Sequence, residues 1–111
     1  MQYALMFYAV PGSEHAWSDA ERETADAEYA ALADDPRLLH AAQLATPEMA
    51  TSVRVGGGRT LMTDGPFADT KEVLGGVALI EAANLDEAIE LAVRVPTARH
   101  GVVEVRPLAQ R

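Results

Sequence analysis

The chain contains no cysteine among its 111 residues. A disulfide framework, a thiolate nucleophile and a cysteine-ligated zinc or iron–sulfur site are therefore excluded. Its three histidines, His15, His40 and His100, lack the H-x-H or H-x-x-x-H spacing of metal sites. The run Gly56-Gly57-Gly58 lacks the Lys-Ser/Thr of a phosphate-binding loop. We therefore expect neither a metal nor another cofactor.

Basic residues are also few. The sequence has nine lysines and arginines and 17 acidic residues, which gives a net charge of −8. Binding to a nucleic acid backbone needs clustered positive charge, so this class of partner is not expected. No apolar run approaches the roughly 20 residues of a membrane span, and the first residues lack the pattern of a signal peptide. These features predict a cytoplasmic protein without a membrane segment.

The composition is that of a folded globular chain, with 49% hydrophobic and 23% charged residues. A length of 111 residues allows one core and is short for two. We therefore expect a single domain over residues 1–111.

The hydrophobic pattern predicts six strands and two helices. Ser18 and Glu21 have the spacing of a capping box, and Asn84 with Glu87 repeats it. The residues predicted to face the core from the second helix are Leu85, Ala88, Ile89 and Ala92. Strands are predicted over 3–10, 38–44, 51–55, 59–63, 77–80 and 102–106, and helices over 19–33 and from 85 to the residue before Pro96.

This order is a split β-α-β arrangement with an inserted β-hairpin around the glycine run. It predicts an α+β, ferredoxin-like fold of the dimeric α+β barrel type, in which two helices cover one face of an antiparallel sheet. The other face then needs a partner. We expect a homodimer whose two sheets pack face to face.

The most distinctive stretch runs from Asp64 to Gly76 and reads DGPFADTKEVLGG. It combines a carboxylate, two residues that bend the backbone, an aromatic residue, a lysine and a glycine pair. With the aromatic first strand and the segment from Pro96 to Gly101, it resembles the YCII-related superfamily and, within it, the DGPF-domain branch.

The resemblance implies a ferredoxin-like domain that dimerises through its sheet. The wider family includes a dehydrochlorinase that acts on a chlorinated hydroxyhydroquinone, for which a His–Asp pair is the proposed catalytic centre. Many relatives carry a histidine midway along the first helix, where this chain has Tyr29. Members of the branch are often encoded beside extracytoplasmic-function sigma factors, which implies such a factor as a candidate partner.

Asp64 is the first candidate for a catalytic carboxylate, since the bend at Gly65-Pro66 can aim its side chain into a cleft, where it would act as a general base. The alternative is that Asp64 caps the turn through backbone amides. Lys71 is a candidate for holding an anionic ligand, or else a solvated surface residue.

Tyr29 and His100 are the candidate acid–base partners of Asp64. A tyrosine on an amphipathic helix is otherwise a core residue with its hydroxyl at the rim, and a histidine in a loop is otherwise a surface group. His15 and Trp17 are candidates for a lid over the ligand. Trp17 is alternatively a hydrophobic staple before the Ser18 cap.

Two classes of function follow. In the first, the protein is a small enzyme that uses Asp64, His100 and Tyr29 in acid–base chemistry on a small molecule. In the second, it is a non-catalytic domain that binds a small ligand or a sigma factor. In a third interpretation the DGPF motif only shapes the dimer. Convergence of the three side chains would favour the enzyme, and their dispersal would favour the alternatives.

Overall fold

Six strands, three α-helices and two short 3-10 helices (Ser13–Ala16 and Pro47–Met49) form the chain in a computed structural model, which describes residues 1–110. The strands and α-helices are β1 (Gln2–Ala9), α1 (Asp19–Ala33), β2 (Leu38–Gln43), β3 (Thr51–Gly56), β4 (Arg59–Asp64), β5 (Val73–Glu81), α2 (Leu85–Ala92), α3 (Thr97–His100) and β6 (Val102–Pro107). The four-residue helix α3 was not predicted. No helix in the described part is both long and apolar enough to span a bilayer.

The main sheet has four antiparallel strands in the order β2-β5-β1-β6. Strands β3 and β4 pair with each other as a separate hairpin inserted between β2 and β5. Together with α1 and α2 this is the α+β, ferredoxin-like arrangement that the order of elements predicted. Strand β5 begins four residues earlier than predicted, so that the glycine pair of the DGPF motif lies inside the sheet.

The core lies between the sheet and α2. On β1, Tyr3 and Leu5 are buried, and their register partners on β5 are Ile80 and Ala78. Leu91 of α2 packs against this group. Full burial of a large apolar side chain stabilises the fold by about 1.5–3 kcal/mol, so these few contacts dominate the stability of the sheet–helix layer.

The buried face of α2 differs from the predicted one. Ala88 and Ala92 are buried as predicted, but Leu85 and Ile89 are 49% and 43% exposed, while Leu91 is buried. The two small alanines let the helix axis approach the sheet closely, and the helix is then turned so that Leu91 fills the remaining space. The hydrophobic periodicity of the sequence predicts where α2 lies along the chain, but it does not give the rotation of the helix about its own axis.

Helix α1 contributes little to the core. It begins at Ser18, whose hydroxyl accepts a hydrogen bond from the Glu21 backbone N–H at 3.1 Å, which confirms the predicted capping box. Only Ala25 of its 15 residues is buried. Leu32 also packs against the core from a partly buried position. Because the other inward side chains are mostly small, apolar packing of α1 is limited and polar contacts add to its attachment.

The β3–β4 hairpin projects from the rest of the domain. Its residues Val53, Val55 and Met62 are at least 62% exposed and share one face of the hairpin. The radius of gyration is 16.0 Å, larger than the about 13 Å expected for a compact chain of this length. An isolated two-stranded hairpin is marginally stable in water, so this arm is the least supported part of the fold.

An ion-pair cluster joins the end of α1 to α2. The Asp35 carboxylate accepts hydrogen bonds from the side chain and backbone of Arg37 and from the Arg94 side chain, at 2.9–3.0 Å. These donors, Arg37 first, hold the pKa of the Asp35 carboxyl well below its usual range. The cluster therefore stabilises the folded state while the carboxyl is ionised.

We predict that Asp35→Asn lowers the free energy of unfolding at pH 7 by about 1–2 kcal/mol, because hydrogen bonds to a charged acceptor are lost at a partly exposed site. The pKa of Asp35 is lower in the folded protein than the about 3.9 of an unfolded chain. Its contribution is thus complete above that value and declines as the pH falls below it.

The stability difference between wild type and Asp35→Asn should therefore shrink below about pH 4. Urea unfolding at a series of pH values measures it. Asp34→Asn is the matched control, since Asp34 is exposed and its side chain forms no ion pair with a described residue. A pH-independent difference, or an equal effect of the control, would contradict the prediction.

Candidate functional site

Polar side chains connect the middle of α1 to α3. The hydroxyl groups of Tyr29 and Thr97 lie 2.8 Å apart. Next to them, Arg99 donates two hydrogen bonds to the two carboxylate oxygens of Glu28, at 2.6 and 2.8 Å. The Arg99 hydrogen bonds hold the pKa of the Glu28 carboxyl below its ordinary value. These contacts supply the attachment that the apolar packing of α1 lacks.

The start of α1 meets the end of α3 through two rings. Trp17 is half-buried, and its ring centroid lies 4.1 Å from that of His100 with the planes tilted by 34°. Trp17 therefore contacts a residue of α3, whereas the hydrophobic-staple alternative pairs it with a residue of α1. The structure therefore brings Trp17, Tyr29 and His100 to the same side of the domain, along the α1–α3 boundary.

A cavity of about 110 Å³ lies between α1 and the sheet, and we call it the α1 cleft. Phe7 and Leu38 from the sheet, Leu32 and Tyr29 from α1 and Leu91 from α2 are among its lining residues. Tyr29 is 40% exposed, so its ring borders the cleft while its hydroxyl reaches Thr97. The lining of the cleft is apolar except for Tyr29 and the ion-paired Asp35. A mostly apolar cavity with a few polar groups is typical of small-molecule sites.

A second and larger cavity, of about 510 Å³, is built by the DGPF motif, and we call it the motif recess. Its walls are the segments 44–50 and 66–74 together with Tyr8 of β1. Tyr8 and Phe7 are adjacent in β1, where successive side chains point to opposite faces. The α1 cleft and the motif recess therefore lie on opposite sides of the sheet.

Asp64 lies at the base of the hairpin, where it pairs with Thr51 and is exposed. Its side chain forms no hydrogen bond or ion pair with any residue in 1–110, and it lines neither cavity. The adjoining bend is fixed by Gly65, whose backbone has a φ of +95° and whose N–H donates to the Ala50 carbonyl at 2.7 Å. No contact connects Asp64 with Tyr29 or His100, so the catalytic role of Asp64 stays a prediction.

The remaining candidates are at the surface. Lys71 is exposed in the loop between β4 and β5, without an ion pair to a described residue, and His15 is exposed in the turn before α1. Their ligand-binding roles stay predictions as well. Within residues 1–110, no three histidine, aspartate or glutamate side chains are grouped closely enough to hold a metal ion.

Sequence reasoning did not single out Glu28, Thr97 or Arg99 as site residues. Glu28 and Arg99 are 71 positions apart, and Tyr29 and Thr97 are 68 apart. No local spacing reveals such a pair. The one available signal was the run Thr97-Ala98-Arg99-His100, which concentrates polar groups directly after a proline that ends a helix.

Comparisons with known proteins agree with this architecture. Residues 1–110 match the YCII-related domain. An uncharacterised protein of Rhizobium meliloti strain 1021 is 37% identical over 115 residues, which cover 98% of this chain and 93% of the relative. Among solved structures, the chain is similar to 5-chloro-2-hydroxyhydroquinone dehydrochlorinase of Burkholderia phenoliruptrix AC1100 in complex with 2,5-dihydroxybenzoquinone. That likeness has a TM-score of 0.55, 16% identity and coverage of 100% and 96% of the two chains, and it supports the fold.

The position of α3 and His100 depends on Gly101. At this residue the backbone passes so close to β1 that an added Cβ atom would overlap the carbonyl oxygen and carbon of Tyr8. Backbone atoms cannot move away as a flexible side chain can. Only glycine permits β6 to start here with α3 packed beside β1.

We predict that Gly101→Ala destabilises the protein by about 3 kcal/mol, because the overlap forces β6 away from β1. Gly56→Ala is the control, since a Cβ at Gly56 meets no atom within 4 Å and its φ is not positive. Thermal and urea unfolding measure both variants. The control should stay within about 1 kcal/mol of wild type. Equal stabilities of the two variants would contradict the close approach.

Proposed function

The chain belongs to the YCII-related domain family, and on that basis we propose that it binds a small hydroxylated aromatic or quinone-like molecule in the α1 cleft. The observation that carries the proposal is the Tyr29 hydroxyl, 2.8 Å from that of Thr97, beside a cavity whose lining is apolar except for Tyr29 and Asp35. The Asp35 carboxylate is already bound by Arg37 and Arg94. An apolar cavity with a few polar groups that fix orientation is the usual form of a small-molecule site.

The size of the cleft favours a small ligand. Its volume of about 110 Å³ lies below the about 300–1,000 Å³ of drug-sized sites, and Phe7, Leu32 and Leu91 offer apolar surfaces to a single ring. The solved neighbour holds 2,5-dihydroxybenzoquinone, a single ring with hydroxyl and carbonyl oxygens. A ligand of that class would place its ring among the apolar side chains and one oxygen at the Tyr29 hydroxyl.

The groups at the rim suit acid–base chemistry on such a ligand. A phenolic hydroxyl can donate a hydrogen bond or a proton to a carbonyl or phenolate oxygen, and Thr97 orients the Tyr29 hydroxyl through their shared hydrogen bond. His100 stands three residues after Thr97 and is a second acid–base group within the same helix. The Glu28–Arg99 ion pair keeps α1 and α3 in register, so that Tyr29 stays at the rim.

We predict that Tyr29→Phe weakens the binding of 2,5-dihydroxybenzoquinone by about tenfold, the equivalent of one good hydrogen bond. Titration calorimetry measures the affinity. Tyr8→Phe is the matched control, because it removes a phenolic hydroxyl from the opposite side of the sheet. It should bind the ligand as wild type does. Equal affinities of the two variants would show that the ligand does not meet Tyr29.

A non-catalytic binding domain is the second candidate, and the separation of Asp64 from Tyr29 and His100 favours it. Two measurements discriminate. If the wild-type protein consumes the bound quinone or hydroquinone and Asp64→Asn does not, Asp64 belongs to an enzyme site. Binding without consumption, together with micromolar affinity for an extracytoplasmic-function sigma factor from the same genome, would support a regulatory domain.

We also propose that the protein is a homodimer. The central part of the sheet face opposite the helices carries Ala4, Met6, Val77 and Leu79, which are all only half-buried in the single chain. An apolar sheet face that no helix covers is stable only against another layer. A second copy supplies such a layer with the same surface, as two-fold dimers require.

The mass in solution tests this proposal. Light scattering should give about twice the chain mass of 11.9 kDa. Met6→Lys places a charge in the proposed interface, so it should shift the protein to the monomer. Ile89→Lys is the control, because Ile89 is an exposed apolar residue on α2, and it should leave the dimer intact. A monomeric wild type, or a dimer that Met6→Lys does not weaken, would contradict the interface.

A further inference from the structure

The DGPF motif has no part in the α1 cleft, yet it builds the larger of the two cavities. Pro66, Ala68 and Thr70 form one wall of the motif recess, and Val73 and Leu74 form its floor with Tyr8. The volume of about 510 Å³ lies within the range of small-molecule sites, about 300–1,000 Å³. The motif that identifies the family thus borders an open recess that the proposed function leaves unused.

The walls of the recess are held by backbone hydrogen bonds. Leu44 donates to the Gly75 carbonyl at 2.9 Å, which ties the opposite wall to β5. The Ser52 hydroxyl donates to the Gly65 carbonyl at 2.8 Å, at the start of the motif. Pro47 and Pro66 restrict the backbone further on the two sides. The recess therefore exists before any ligand binds, which lowers the entropic cost of binding.

The lining chemistry indicates the class of ligand. No charged side chain lines the recess, although the protein has 26 charged residues among its 111. Leu44, Pro47 and Met49 add apolar surface, and Met49 is 74% exposed at the rim. The Tyr8 hydroxyl forms no hydrogen bond with any residue in 1–110. A charged ligand would lose its hydration here without gaining a counter-charge, so the lining favours a neutral one.

We propose that the motif recess is a second ligand site, for a neutral and predominantly apolar molecule of one or two rings with one polar atom that meets the Tyr8 hydroxyl. The concave shape and the preformed walls favour a small molecule over a protein side chain. Asp64 and Phe67 lie outside the recess, and Phe67 instead faces Arg54, whose guanidinium lies 5.3 Å from the ring centroid. The motif thus works as the frame of the site rather than as its catalytic centre.

A neutral fluorescent probe, N-phenyl-1-naphthylamine, tests the proposal. We expect saturable binding to the full chain. Ala68→Trp fills the recess from its exposed wall and should weaken the binding of the probe at least about tenfold. Ala45→Trp should have the same effect from the opposite wall. Ala20→Trp is the matched control, because Ala20 is exposed on α1, which covers the opposite side of the sheet and lines no part of the recess. It should change the affinity by less than about twofold. Circular dichroism and thermal unfolding confirm that each variant is folded.

Three outcomes would overturn the proposal. One is the absence of saturable probe binding, and another is unchanged affinity in both filled variants. The third is an affinity that falls as the protein concentration rises, since this would assign the recess to a second copy of the chain. Tyr29→Phe should leave probe binding unchanged. Failure of this site is therefore distinguishable from failure of the α1 cleft.

Discussion

The alternation of side chains along β1 is the constraint on which the rest of the structure depends. β1 pairs with both β5 and β6, so it lies inside the sheet and its register sets the two faces. Tyr3 and Leu5 point to the helices and are buried with Ile80. Two residues further on, Phe7 faces the α1 cleft, and Tyr8, its neighbour, faces the motif recess. A shift of one residue would exchange the contents of both cavities and expose the core.

The two helices are held to the sheet by different forces, and this difference creates the α1 cleft. α2 packs through Ala88 and Leu91, which are both almost fully buried. α1 buries little and is attached through Glu28–Arg99 and Tyr29–Thr97, contacts that depend on geometry more than on buried area. Exposed ion pairs contribute little stability. A helix that is attached in this way can stand off the sheet and border a cavity, as a tightly packed helix cannot.

Much of the fold was predictable because it depends on local rules. The Ser18–Glu21 capping box, the hairpin at the glycine run and the order of strands and helices were confirmed. Such local rules do not predict which residues of the candidate site come together. The prediction groups Asp64, Tyr29 and His100 at one site, but the structure places Asp64 on the hairpin and the other two at the boundary of α1 and α3. Helix rotation was equally out of reach, since Leu85 and Leu91 are both leucines within one short helix.

By itself the sequence determined the family, the α+β class, the limits of most elements and the residue types available for chemistry, because caps, turns and periodicity act over a few residues. Only the tertiary structure decided which side chains meet. The Tyr29–Thr97 contact spans 68 positions, and its formation depends on how α1 lies over the sheet. The DGPF motif shows both contributions. Its sequence identifies the family. Its role as the wall of a cavity arises only in the tertiary structure, where segments 44–50 and 66–74 come together against Tyr8.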